Sequence, residues 1–217
     1  MCGRFVQKGS PKAIAEFFDI KGPPINLAPR YNVAPTQDVA VVSAGPLGPQ
    51  LGLKKWGLIP AWSKDGKATF ATFNARAESI REKPTYRQAF ERRRCIVPAD
   101  GFYEWTGPKG DKTPHLFERR DGTMLALAGL HDSWRAPDGS ETIHSFTIVV
   151  TAANSWMSAY HDRMPVILER ADMATWLSAN PDEAATLMRA APDDALTERT
   201  VSKLVNNVKN EGPELVA

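Results

Sequence analysis

The sequence predicts an α+β domain that is mainly β, with a curled, barrel-like sheet and short flanking helices. Three observations lead there. Short β-branched and aromatic runs recur along the chain, each long enough for one strand. Its 17 prolines and 15 glycines are spread throughout, which leaves little room for long helices. The few helix-start signals introduce brief segments only. At 217 residues the chain suits one compact domain, 1–217, able to bury a sizeable core.

The elements follow in order. "SPKAIAEFFDI" reads as a helix with Ser10 as N-cap and Pro11 at the first helical position. "NLAPRYNVAPTQ" reads as a proline-broken loop, "DVAVVSA" as a short strand and "PQLGLKKWGLIPAW" as a strand with an exposed end. "NARAESIREKPTYRQAFERRR" holds two short helical stretches split at Pro84. "RCIVPADGFYEW" is strand-like, with a turn or bulge at Asp100-Gly101. "PHLFERRDGTMLALAGLHDSW" reads as a hairpin turning at Asp121-Gly122. "HSFTIVVTAA" and "MPVILE" are strands, and "ADMATWLSA" is a short helix. "NPDEAATLMRA" starts a helix with Asn180 as cap, Pro181 first and Glu183 third. "RTVSKLVNNV" reads as a final strand.

Composition excludes several classes. With 42% hydrophobic and 24% charged residues, the chain is neither disordered nor collagenous. No apolar run approaches the roughly 20 residues that span a bilayer. No apolar segment opens the chain as a signal peptide would. Two cysteines, Cys2 and Cys95, make no disulfide framework, and a reducing cytoplasm is the expected compartment. Net charge is +2, yet residues 1–110 hold 17 Lys/Arg against 9 Asp/Glu and residues 111–217 hold 10 against 16. A basic front half suits a polyanionic partner, or a solvated face without one.

"MCGRF" opens the chain and carries the first chemical signal. Removal of Met1 would leave Cys2 with a free α-amine and a thiol on adjacent carbons. Reference pKa values of about 7.7–8.0 and 8.5 leave both partly deprotonated near neutrality. An amine condenses with an aldehyde to a Schiff base, and a 1,2-aminothiol can then close on the imine carbon as a thiazolidine. Glu104, in "DGFYEW", shares one strand face with Phe102. There it reads either as a proton donor beside an aromatic or as a surface or ion-paired carboxylate. His161, in "AYHDRMP" between a helical turn and a strand start, is the residue type that moves protons at neutral pH. His115, His131 and His144 have no comparable setting and read as structural. Asn74 and Arg76 sit in "FNARAES". An amide can orient a sugar oxygen or cap a helix, and a guanidinium can fork onto phosphate. Arg92, Arg93 and Arg94 read as partly a solvated face. Trp56 and Trp62 flank "GLIPA", and each reads as a base-stacking or a core residue. No metal-ligand or nucleotide-binding spacing occurs, so neither metal nor cofactor is expected.

These pieces together resemble one family. "MCGRF", "YNVAPTQ", "WGLIPAW", "NARAES", "RRRCIVPADGFYEW", "HDRMPVIL" and "VSKLVNNVKNEGPEL" occur in the order seen in the SRAP-domain family, the SOS response-associated peptidases or abasic-site processing proteins. Bacterial and human members shield abasic sites in single-stranded DNA. The resemblance spans residues 2 to about 215. It implies a bacterial member with a single β-rich, barrel-like domain. It implies that Cys2 crosslinks to C1′ of the ring-opened abasic sugar through a thiazolidine. Asn74 would hold the sugar, Glu104 would shuttle protons, and His161 would assist proton transfer in reversal and strand-cleaving side chemistry. Arg4, Arg76 and Arg163 would hold phosphates beside the lesion, and Trp62 would wedge against a neighbouring base. The implied partner is single-stranded DNA with abasic sites at single-strand–duplex junctions, met by a monomer at bacterial replication forks, with no membrane role. Gly3 would leave room for the sugar, and Arg4 would disfavour protonation of the amine.

Other classes remain beside it. Class II glutamine amidotransferases also begin Met-Cys-Gly, but the Asn-Gly dipeptide expected for their oxyanion hole does not occur here. A non-enzymatic DNA-binding module leaves Cys2, Glu104 and His161 unexplained together. Thiol autoproteolysis by Cys2 has its nucleophile but no complete triad.

Overall fold

The computed structural model describes residues 2–22, 25–67 and 72–217. β1 (Phe5–Gln7) leads into α1 (Pro11–Phe17), where the Ser10 hydroxyl accepts from the Ala13 N–H at 3.2 Å. β2 (Arg30–Val33), β3 (Asp38–Gly45), β4 (Gly48–Trp56) and β5 (Asn74–Arg76) follow. α2 (Pro84–Arg92) starts on its proline and buries Tyr86, Ala89 and Phe90, one helical face. Then come β6 (Arg94–Ala99), β7 (Gly101–Thr106), β8 (Thr113–Arg119), β9 (Leu125–Arg135), β10 (Thr142–Ala152) and β11 (Arg163–Pro165). α3 (Met173–Ser178), α4 (Pro181–Thr186) and β12 (Leu196–Thr200) complete the order. Asn180 caps α4, accepting from the Asp182 and Glu183 N–H groups.

β3, β4, β10, β9 and β6 each pair with the next, and β6 pairs back onto β3. That ring is a closed barrel, which removes its sheet edges. A second sheet runs β12-β8-β7-β1-β2. Alternation along the barrel strands sends one set of side chains inward and the other out. The inward set (Val41, Val97, Leu127 and Ile148) joins Phe5, Phe102, Phe117 and Leu196 from one face of the second sheet in a single core. The outward set, with Ile96, Ala128 and Val149, packs under α1, α2 and α3. The expectation of a mainly β, barrel-like α+β fold with short helices is met.

Several local expectations need correction. The proline-broken segment 26–37 contains a strand, β2, because it adds to the edge of β1. Asn74–Arg76 is a strand parallel to β10, not helix, and only a 3₁₀ turn, Ala77–Ser79, follows it. β8 and β9 flank the turn at Asp121-Gly122 but form no hairpin. β8 pairs with β7 and β12, whereas β9 pairs with β6 and β10. The final strand is Leu196–Thr200, and Lys203–Asn206 is a 3₁₀ turn capped by Ser202. "MPVILE" keeps strand pairing at Arg163–Pro165 and one bridge at Ile167. Among the described residues no helix is long and apolar enough to cross a membrane.

Candidate active site

The chain start threads into the shared core. Cys2 is fully buried in the cluster that holds Phe5, Phe102 and Phe117. Met1 lies outside the described residues. Burial, and after it the nearby Glu104 carboxylate, push the Cys2 thiol well above the ordinary range, against an opposing hydrogen bond donated by the Arg4 backbone N–H. Both leading causes disfavour a thiolate. The resting group is therefore a neutral thiol.

Two strands bring partners to it. β5 lies along β10 with Asn74 opposite Ile148, and the Asn74 amide donates to the Cys2 carbonyl at 2.8 Å. Asn74 is thus the first residue of a strand and caps no helix. Its Oδ1 is buried and accepts no hydrogen bond among the described residues. Leaving a buried acceptor unpaired costs roughly 1–3 kcal/mol. β7 carries Phe102 into the Cys2 cluster, and alternation puts Glu104 on the same face. Glu104 is buried, so the surface alternative does not hold.

His161 follows the 3₁₀ turn Met157–Ala159 and precedes β11, between the elements expected of it. Ala153, Trp156 and Tyr160 of this segment pack against the core that contains Cys2. His161 Nδ1 accepts from the Arg163 N–H at 2.9 Å and lies 2.7 Å from the Asp162 carboxylate. The backbone bond suits a neutral ring protonated at Nε2, and the carboxylate suits an imidazolium.

The other predicted residues are distributed unevenly. Arg76 is exposed at the end of β5, and Arg163 reaches Glu78 at 2.5 Å across the same region. Burial pushes the Glu78 carboxyl up, but its own backbone N–H, then the Arg163 guanidinium and last the Arg76 charge bring it below the ordinary range. Arg4 points to the far face of the second sheet. Its Nη1 donates to Asn32 Oδ1 at 2.6 Å and to the Val205 carbonyl at 2.9 Å, and its guanidinium sits 5.4 Å from the Trp105 ring. There it lines an open cleft of about 420 Å³ with Trp105, Gly110, Lys112 and Asn206. Trp62 is 61% exposed on the loop after β4, and Trp56 is core, packed on Phe5 and Phe146. Arg94 is buried and donates to backbone carbonyls including that of Phe90, while Arg93 pairs with Asp132. His115 does more than pack. It binds Glu198 and Thr106, and Glu198 also binds Tyr160. Sequence spacing could not show this, because the strand register alone brings those residues together.

A closed barrel capped by a second sheet, with a near-terminal thiol buried against a carboxylate and an amide, defines the class of domain. The sequence model described as "SOS response associated peptidase (SRAP)" matches residues 1–208. The chain is 39% identical to the abasic site processing protein YoqW of Bacillus subtilis over 223 residues, covering 100% of this chain and 99% of that one. It is 33% identical to the abasic site processing protein HMCES of Xenopus tropicalis, over 77% of this chain and 57% of that one. A crystal structure of a Bacteroides thetaiotaomicron protein superposes with a TM-score of 0.87 at 25% identity, covering 99% and 98% of the two chains. This chain belongs to the SRAP family.

Proposed function

We propose that the protein captures abasic sites in single-stranded DNA covalently through Cys2. The observation that carries this reading is the convergence on Cys2 of the Asn74 amide, at 2.8 Å from its carbonyl, and of the Glu104 carboxylate. The names of the curated relatives, abasic site processing proteins, support the substrate class.

The chemistry follows from the charge states. After loss of Met1, the Cys2 amine attacks the C1′ aldehyde of the ring-opened sugar, and the oxygen leaves as water to give an imine. The neutral thiol then adds to the imine carbon. The S–C bond forms and the thiol proton ends on the ring nitrogen, closing a thiazolidine. A buried carboxylate beside the thiol suits the relay of that proton. Asn74 fixes the Cys2 backbone and presents Oδ1 to a sugar hydroxyl. His161 serves the reverse proton transfers. The same imine permits β-elimination and strand cleavage as a side reaction. Arg76 and Arg163 hold flanking phosphates, Arg4 holds the strand further along, and Trp62 wedges beside the next base at a duplex junction. The protein acts as a monomer at replication forks in the cytoplasm.

The test is an adduct assay with protein verified by mass to lack Met1. A heat-stable adduct should form with an abasic single strand and not with intact DNA. Cys2→Ala should form none, leaving at most a borohydride-trappable imine. Equal adduct with intact DNA, or a stable adduct from Cys2→Ala, refutes the proposal.

A further inference from the structure

The register of β7 on β8 sets Glu104 opposite His115, and that of β8 on β12 sets Phe117 opposite Glu198. Opposed residues share a sheet face. Glu104, His115 and Glu198 therefore stand on the face that carries Phe102 and Phe117 into the Cys2 core. There His115 Nδ1 lies 2.5 Å from Glu198 Oε1 and Nε2 lies 2.7 Å from Thr106 Oγ1. The Tyr160 hydroxyl donates to Glu198 Oε2 at 3.2 Å. The Tyr160 ring stands edge-on to His115 and to Phe117, both at 5.1 Å.

Carboxylate and imidazole define each other here. Glu198 can only accept, so Nδ1 of His115 carries a proton. The Thr106 hydroxyl donates to Nε2 when the ring is neutral and accepts from it when charged. No hydrogen bond is lost either way. Glu198 and His115 are mostly buried, with side chains 18% and 11% exposed. A polar group held in such a place is costly unless every bond is made, and here His115 and Tyr160 both bond to Glu198. The next residue in the chain is His161.

We infer that Glu198, His115 and Tyr160 are positioning residues for His161, clamping the turn that carries it through the Tyr160 ring and hydroxyl. This rests on the abasic-site reading above. The network is joined to the site through the turn that carries His161.

The experiment compares Tyr160→Phe, Glu198→Ala and Glu198→Gln with wild type. Two rates are read: adduct formation, and release of the adduct onto excess abasic competitor. Tyr160→Phe keeps the ring packing and Glu198→Gln can still accept from His115. Glu198→Ala should slow release about 10-fold, short of the ~10²-fold that a full displacement of a reacting group costs. Tyr160→Phe should slow it to a lesser degree, and Glu198→Gln should recover most of the loss. In a His161→Ala background, neither Tyr160→Phe nor Glu198→Ala should slow release further. Additive losses in that background, or wild-type release in both variants, overturn the inference. An independent readout is the ¹⁵N signals of the His161 imidazole in uncrosslinked protein. They should shift in Glu198→Ala and return toward wild type in Glu198→Gln. Unmoved His161 signals overturn the inference even if no crosslink forms, and an absent crosslink with moved signals counts against the abasic-site reading alone.

Discussion

Asn74 and Glu104 divide the work around Cys2. One holds the Cys2 backbone and the charge of the other acts on its thiol. The thiol is kept neutral by burial and by the Glu104 charge, so in the proposed reaction the amine leads and the carboxylate moves protons. Glu104→Gln should slow adduct formation by about 10²–10⁴-fold, the usual worth of a positioned proton donor or acceptor. Asn74→Asp should also slow it, because a carboxylate oxygen would face the Cys2 carbonyl in place of a donor. Single-turnover gels check both, and wild-type kinetics in Glu104→Gln would leave that residue a packing role. The aminothiol, the carboxylate and the histidine could be singled out as candidates because they lie in distinctive short motifs. The direction of each side chain was not legible there. Arg4 sits two residues from Cys2, yet it turns away to Asn32 and Trp105.

At the scale of elements, the site depends on where the chain leaves one sheet for the other. β6 ends at Ala99 in the barrel and β7 begins at Gly101 in the second sheet. Asp100 fastens that switch, its Oδ2 accepting from the Lys8 and Gly9 N–H groups at 2.6 and 3.0 Å. A Cβ at Gly101 would stand 2.8 Å from the Phe117 carbonyl oxygen and 2.9 Å from Leu116 Cδ1. Gly101→Ala should therefore displace β7 from β8, costing about 1–3 kcal/mol as overpacking does, and should slow crosslinking as Glu104 shifts with its strand. Denaturant unfolding and the adduct rate together check this, and wild-type values for both would show that the strand pair absorbs the methyl. Sequence signals marked the break at Asp100-Gly101 correctly. They misread the one at Asp121-Gly122 as a hairpin, because a turn's chemistry does not say whether the flanking strands pair with each other or join different sheets. β5 was missed for a similar reason: three residues carry no period, and only pairing with β10 makes them a strand.

On the scale of the whole molecule, barrel closure holds titratable groups largely away from water. His131 lies on β9 opposite Phe146 of β10. Burial first, and then the charges of Lys54, Arg93 and His144, depress its pKa from 6.5 to about 3. Its Nδ1 is buried without a hydrogen-bond partner among the described residues. The folded protein therefore keeps this ring neutral while the unfolded chain takes up a proton below 6.5. Where the unfolded state binds more protons, stability rises with pH. The contribution is fully present above 6.5 and is lost as pH falls toward 3, at up to ~1.4 kcal/mol per pH unit. The native carboxylate pairs add their own acid sensitivity, so a comparison of variants is needed. His131→Leu cannot titrate and leaves those pairs in place. Its unfolding free energy should fall less between pH 7 and pH 4.5 than that of wild type, by about 2.5 kcal/mol if the whole of that window acts on the one ring. Urea titrations at the two pH values measure the difference directly. Parallel pH profiles for the two proteins would mean that His131 takes up its proton in the folded protein, and that burial and its neighbouring charges do not hold the ring neutral.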